Sequence, residues 1–124
     1  MVKIAIIGSR QFEDMELVAE ALFQKLHYTD VKVITGGAIG IDKFVETHCS
    51  NNNIPCEIIR PINPANKLDY LFRNVEIITK ADKIIAFWDG KSKGTKFVID
   101  YAKARGKEIE IIKQGRSKEV KYST

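Results

Sequence analysis

A chain of 124 residues with 44% hydrophobic and 29% charged side chains has room for one domain with its own core, and its composition is neither disordered nor fibrous. No apolar run approaches the roughly 20 residues that span a bilayer, and Met1 to Gly8 is too short for a signal peptide, so the expectation is a cytoplasmic protein with no membrane partner. The net charge of +4 is concentrated at one end: Lys113, Arg116, Lys118 and Lys121 against Glu119 give residues 113–124 a charge of +3 and leave +1 on the rest, so this basic tail reads first as a solvated, frayed end.

Val2 to Ile7 is apolar and β-branched, as expected of a strand covered on both faces, and it stops at Gly8. From Asp14 onward Leu17, Val18, Ala21, Leu22 and Leu26 recur at helical spacing, with acids in the first turn and Lys25 and His27 in the last. Val31 to Thr35 is a second strand. It is followed by the turn Gly36-Gly37-Ala38-Ile39-Gly40 and a helix burying Ile41, Phe44, Val45 and Cys49. Ile54 to Arg60 reads as a third strand. Pro61-Ile62-Asn63-Pro64 then interrupts regular structure before a helix with Leu68, Leu71, Phe72, Val75 and Ile78 on one face. Lys83 to Trp88 is the fourth strand, and after Asp89-Gly90 and Lys91 to Thr95 a helix buries Phe97, Val98, Tyr101 and Ala102 and stops at Gly106. In Glu108 to Ile112 the acids alternate with isoleucines, which suits an edge strand. Strands alternating with helices specify an α/β, Rossmann-like three-layer sandwich with a five-stranded, mainly parallel sheet. Residues 1–112 form its single domain and residues 113–124 its tail.

In such a sheet the turns after the first, second and fourth strands gather on one edge, where open α/β folds bind ligands. Gly8-Ser9-Arg10, Gly36 to Gly40 and Gly90-Lys91-Ser92-Lys93-Gly94-Thr95 offer bare amides, hydroxyls and cations there, a combination suited to an oxyanion. Any one of these glycines is explained equally by a tight strand-to-helix turn; three turns converging favour a phosphate-bearing ligand. Lys91, Lys93 and Lys96 crowd the start of the fourth helix, where the dipole penalises each cation by about 0.3–1 kcal/mol, a cost that an anion would relieve and that solvation also reduces. Glu13 and Asp14 occupy the positive end of the first helix, which leaves Ser9 and Arg10 as flanking contacts.

Gly94-Thr95 lacks the order of a Walker motif and no GxGxxG follows the first strand, which disfavours ATPase and dehydrogenase chemistry. His27 and His48 lie away from the predicted edge and read as structural or surface residues, with no metal cluster and no certain cofactor. Cys49 and Cys56 show no CxxC spacing and read as two buried thiols. Asp42 is either a dipole partner in its first helical turn or an acid/base group. Asp89 is either a turn former or a catalytic carboxylate, and Trp88 either caps the core or lies under a base.

The strings Gly8 to Asp14, Thr35 to Asp42, Arg73-Asn74 and Ala86 to Thr95, with Asp-Gly-Lys-Ser-Lys-Gly-Thr the most specific, resemble the YspA/YpsA-related branch of the SLOG superfamily. That superfamily also takes in the DNA-processing protein A (Smf) group and the cytokinin-activating LOG hydrolases. The resemblance covers about residues 1 to 112. It implies a Rossmann-like fold that binds a nucleotide or nucleotide-derived signal, with Arg73 and Asn74 lining the pocket; the helical wheel alone leaves Arg73 as a surface charge. LOG hydrolases carry a glutamate three residues after the Gly-Thr pair. This chain has Val98 there, which argues against phosphoribohydrolase activity. Relatives often carry a basic residue where Ile39 stands.

The leading expectation is therefore binding or sensing of a nucleotide-like phosphate ligand by Gly8, Ser9, Arg10, Gly36, Gly37, Ala38, Gly40, Asp42, Arg73, Asn74, Trp88, Asp89, Gly90, Ser92, Lys93, Gly94 and Thr95. The alternatives are an N-glycosidase or deoxyribosyltransferase-like enzyme using Asp42 and Asp89, and single-stranded nucleic-acid binding through the basic tail. Whether the chain acts as a homo-oligomer is open.

Overall fold

The computed structural model describes residues 1–27 and 30–114 and the backbone of Val120–Tyr122. The elements in chain order are β1 (Val2–Gly8), α1 (Met15–Leu26), β2 (Val31–Thr35), α2 (Ile41–Asn51), β3 (Cys56–Ile58), α3 (Lys67–Lys80), β4 (Lys83–Trp88), α4 (Lys93–Ala104), β5 (Glu108–Lys113) and β6 (Val120–Tyr122). The strands form one sheet in the order β3-β2-β1-β4-β5-β6. The first five are mutually parallel, and β6 is antiparallel to β5.

Alternation along the buried strands sends side chains to two separate cores. Ile4, Ile6, Val33, Ile85, Phe87 and Ile112 meet α1 and α2 on one face, while Ala5, Ile34, Ile84, Ala86, Ile109 and Ile111 meet α3 and α4 on the other. The expected Rossmann-like three-layer α/β fold is the observed one. Because β1 pairs with both β2 and β4, the chain order reverses direction between β1 and β4, and the ends of these strands flank a crevice where such folds receive ligands.

The structure corrects three expectations. The third strand is only Cys56–Ile58 rather than Ile54 to Arg60: Pro55 contributes a carbonyl to Val33 but has no N–H to give the ladder. The segment Glu108 to Ile112 is not the sheet edge, because β6 pairs along it through Ile109↔Tyr122 and Ile111↔Val120. Its alternating Glu110 is buried and meets the Lys25 ammonium of α1 at 2.8 Å, so the acid marks an internal ion pair and not a solvated face. The tail thus returns to the sheet at Val120–Tyr122; its residues 115–119, 123 and 124 lie outside the described residues.

The third correction concerns α3. Leu68 and Phe72 are 58% and 67% exposed, and of the anticipated apolar face only Ile78, joined by Ile77, is buried. The helix is rotated so that Tyr70, Arg73, Asn74 and Ile77, spaced i, i+3, i+4 and i+7, face inward. Its first half borders the crevice rather than a packed core, so polar residues take the inner face there.

Candidate functional site at the β1–β4 crevice

A cleft of about 1220 Å³ opens at the C-terminal ends of β1, β2 and β4, against the start of α4 and the inner face of α3. Gly8, Ser9, Arg10, Gly36, Ala38, Asp42, Arg73, Asn74, Asp89, Ser92, Lys93, Gly94 and Thr95 all line it. Gly37 and Gly40 do not. They face a second depression of about 810 Å³, with Ile39, Phe44, His48 and Arg60, on the other side of the same turn. Trp88 and Gly90 also stand outside the cleft lining. Trp88 supports the loop from behind, its indole Nε1 donating to the Ser92 carbonyl at 3.1 Å, with the Lys113 ammonium 5.6 Å from its ring centre.

One wall, the α4 wall, is tied together by hydroxyls and amides around a single turn. Ser9 is 2% exposed, and its hydroxyl donates to Thr95 Oγ1 at 3.1 Å and accepts from the Asp89 amide at 3.3 Å. Ser9 is therefore an interior tie between β1 and α4, not the flanking contact expected. Asp89 Oδ1 accepts from the amides of Lys91 and Ser92, both at 2.8 Å, closing the turn by an Asx-type bond. The little burial at Asp89 pushes its pKa up, but the Ser92 and Lys91 amides and the Ser9 hydroxyl outweigh it and hold the carboxyl below its usual range. Ser92 caps α4 by accepting from the Thr95 amide at 3.4 Å, and no acid stands in that first turn. The positive end of α4, with Lys91 and Lys93 beside it, faces the cleft. Lys96 points elsewhere and pairs with Asp100 at 2.8 Å.

The other wall holds opposite charges. Arg73 Nη1 donates to the Gly36 carbonyl at 2.6 Å and its Nε to Asn74 Oδ1 at 2.8 Å, with the guanidinium 5.2 Å from the Tyr70 ring centre. A Cβ on Gly36 would overlap that guanidinium and approach Asp42 Oδ2 at 3.1 Å, so glycine is what lets both side chains converge. Asp42 Oδ2 accepts from the Ala38 amide at 3.0 Å. Burial raises the Asp42 pKa, and the Ala38 amide, the neighbouring Thr35 hydroxyl and the Arg73 charge only partly oppose it. Burial in turn lowers the Arg73 pKa, against the pull of Asp42. At the seam of the two walls, a Cβ on Gly8 would overlap the Ile41 side chain, so α2 packs directly on the β1 backbone.

Sequence reasoning missed Tyr70, Lys67, Leu71 and Gln114, all of which line the cleft. The guanidinium of Arg10 also stands 6.0 Å from the Tyr70 ring centre. The spacing of Tyr70, Arg73, Asn74 and Ile77 on one helical face was the available signal. At the first helix Asp14 is the cap, accepting from the Leu17 amide at 3.1 Å, while Glu13 donates its amide to Gln114 Oε1. Away from the cleft, His27 and His48 bring their Nε2 atoms to 3.1 Å, and Phe23 stacks on His27. Burial, then the His27 charge, lowers the His48 pKa. Among the described residues no cluster of three or more potential metal ligands forms, and no helix is long and apolar enough to cross a membrane.

Residues 1–58 match the family model described as DNA recombination-mediator protein A. The matched stretch carries β1, the Gly8-Ser9-Arg10 turn, the Gly36 to Gly40 turn and Asp42. No curated protein matches the chain. The fold is similar to the X-ray structure of DNA processing protein A (DprA) from Streptococcus pneumoniae, with a TM-score of 0.78 and 18% identity over 94% of this chain and 51% of that one. The chain thus spans about half the length of that protein, and the likeness is one of fold.

Proposed function

We propose that the β1–β4 cleft binds a nucleotide or nucleotide-derived ligand by its phosphate. The observation that carries this reading is the convergence of Arg10, Lys67, Arg73, Lys91 and Lys93 with the positive end of α4, whose first turn holds no acid, on one cleft; among the described residues lining it, Glu13, Asp42 and Asp89 are the opposing carboxylates. The α4 turn supplies amides, hydroxyls and two lysines to an oxyanion, the arrangement that helix N-termini present to phosphates. Tyr70, with Arg10 and Arg73 near its ring, offers a flat surface beside which a base can stack. The Asp89 to Thr95 string supports a kinship with the YspA/YpsA-related branch of the SLOG superfamily.

Titration calorimetry of the folded protein with nucleoside phosphates, ADP-ribose and dinucleotides should give micromolar or tighter binding to at least one of them, weakened by Lys93→Glu. A silent panel would retire the proposal. A second reading is single-stranded DNA binding, favoured by the names of the family model and of the similar structure, both of which refer to DNA. Its signature is an affinity that falls steeply with salt as phosphates are neutralised, and salt-independent or absent binding of short oligonucleotides would remove it. A third reading is an N-glycosidase or deoxyribosyltransferase-like enzyme using Asp42 and Asp89, of which Asp42 is the cleft carboxyl with a raised pKa. Free base released from a nucleoside monophosphate panel and lost in Asp42→Asn would make the chain an N-glycosidase or transferase.

A further inference from the structure

Two thiols that the sequence reads as separate core residues face each other in the fold. Cys49, fully buried near the end of α2, and Cys56, half-buried in β3, belong to the same core beneath α2. The chain between them turns back at once: the Ile54 amide donates to the Cys49 carbonyl at 2.9 Å, and Asn53 takes a left-handed φ of 56°. Across this turn the two thiols are close enough to perturb each other's ionisation. Strand β3 is the outermost strand on its side of the sheet, so Cys56 is the sulfur a reagent meets first.

We propose that Cys49 and Cys56 form a redox-active dithiol that closes to a disulfide between α2 and β3 by exchange with a small-molecule disulfide of the glutathione class. Cys56 attacks one sulfur of the reagent, forming a mixed disulfide and expelling the first small thiolate, which takes up the Cys56 proton. Cys49 then attacks Cys56 Sγ, giving its own proton to the second departing thiolate. The protein loses two hydrogens and two electrons, and one small disulfide becomes two small thiols. The contact with Cys49 favours the Cys56 thiolate, against its own burial and the nearby charges of Glu46 and Asp42, while the same contact and burial push the Cys49 thiol up. The difference in exposure sets the roles: Cys56, half-buried on the outermost strand, attacks, and the fully buried Cys49 resolves. The bridge pins the C-terminal end of the helix whose first turn holds Asp42 in the cleft.

Native protein incubated with oxidised glutathione, then acid-quenched and analysed by intact mass and thiol counting, provides the test. Expected is loss of both free thiols in a monomer two hydrogens lighter, reversed by a dithiol reductant. Cys49→Ala should stop at a single glutathione adduct on Cys56, and Cys56→Ser should leave Cys49 unreacted while folded. Wild-type protein that keeps both thiols, accumulates stable adducts or bridges only between chains would overturn the proposal, whatever the stability of the variants.

Discussion

The two walls of the cleft are held together by different physics. On the β1–β4–α4 side, Ser9, Asp89, Ser92 and Thr95 join through hydroxyls and amides, and three of these four residues lie within one short turn. On the β2–α2–α3 side, a buried carboxylate and a guanidinium from distant parts of the chain converge over Gly36. Neutral hydrogen bonds cost little to bury when satisfied, whereas desolvated charges remain costly even when they face each other. The α4 wall is thus internally satisfied, and presents Lys91, Lys93 and the positive end of α4 to a phosphate. The charged wall holds unspent electrostatic potential, which a ligand phosphate can use and which protonation alters.

The largest expected effect lies at the seam. Gly8→Ala places a methyl into the buried Ile41 side chain, and overpacking of this kind costs about 1–3 kcal/mol, read as a fall of several degrees in Tm by calorimetry. An unchanged Tm would mean that α2 does not pack so closely on β1.

Next comes Arg73→Ala, which removes a charged donor from the cleft; at about 1.5–3 kcal/mol for a hydrogen bond to a charged group, phosphate-ligand affinity should drop about tenfold or more. Gly36→Ala should mimic that loss with little change in stability, because the methyl meets the flexible end of Arg73. Equal binding by all three proteins would place the phosphate on the α4 wall alone.

Ser92→Ala tests that other wall. Loss of the α4 cap should cost about 1 kcal/mol of stability in denaturant titration, and a neutral outcome would show the turn held by Asp89 without it.

The smallest effect is a pH dependence. Because the Asp42 pKa is raised in the fold above its ordinary 3.8, its contribution is fully present below that value and is lost as pH rises through the folded pKa. Asp42→Asn keeps an acceptor for the Ala38 amide and escapes this loss. Its stability relative to wild type should therefore improve from acid towards neutral pH, and a difference that stays flat would contradict the assignment.

Much of the α4 wall was legible in the sequence. A glycine after an apolar strand and the Asp89-Gly90 pair are local signals, since turn bonds reach only a few residues, whereas the capping of α4 by Ser92 was seen only in the fold. The charged wall was half legible: Gly36 and Asp42 followed from their turn, but Arg73 entered the pocket only through the family resemblance, because a helical wheel gives the polar face no destination. Ser9 was placed at the flank for a similar reason, as nothing local records that Thr95 lies 3.1 Å away.

By itself, then, the sequence determined the alternation of strands and helices and the glycine turns at one sheet edge, because hydrophobic period and short-range turn chemistry act within a few residues. Tertiary structure alone decided the rotation of α3 that brings Arg73 to Gly36, the return of Val120–Tyr122 to β5, the burial of Glu110 against Lys25, and the meeting of Cys49 with Cys56. Each of these depends on how a helix or strand is set against the sheet. That placement minimises exposed apolar surface and unpaired buried charge over the whole chain, a balance no local window contains.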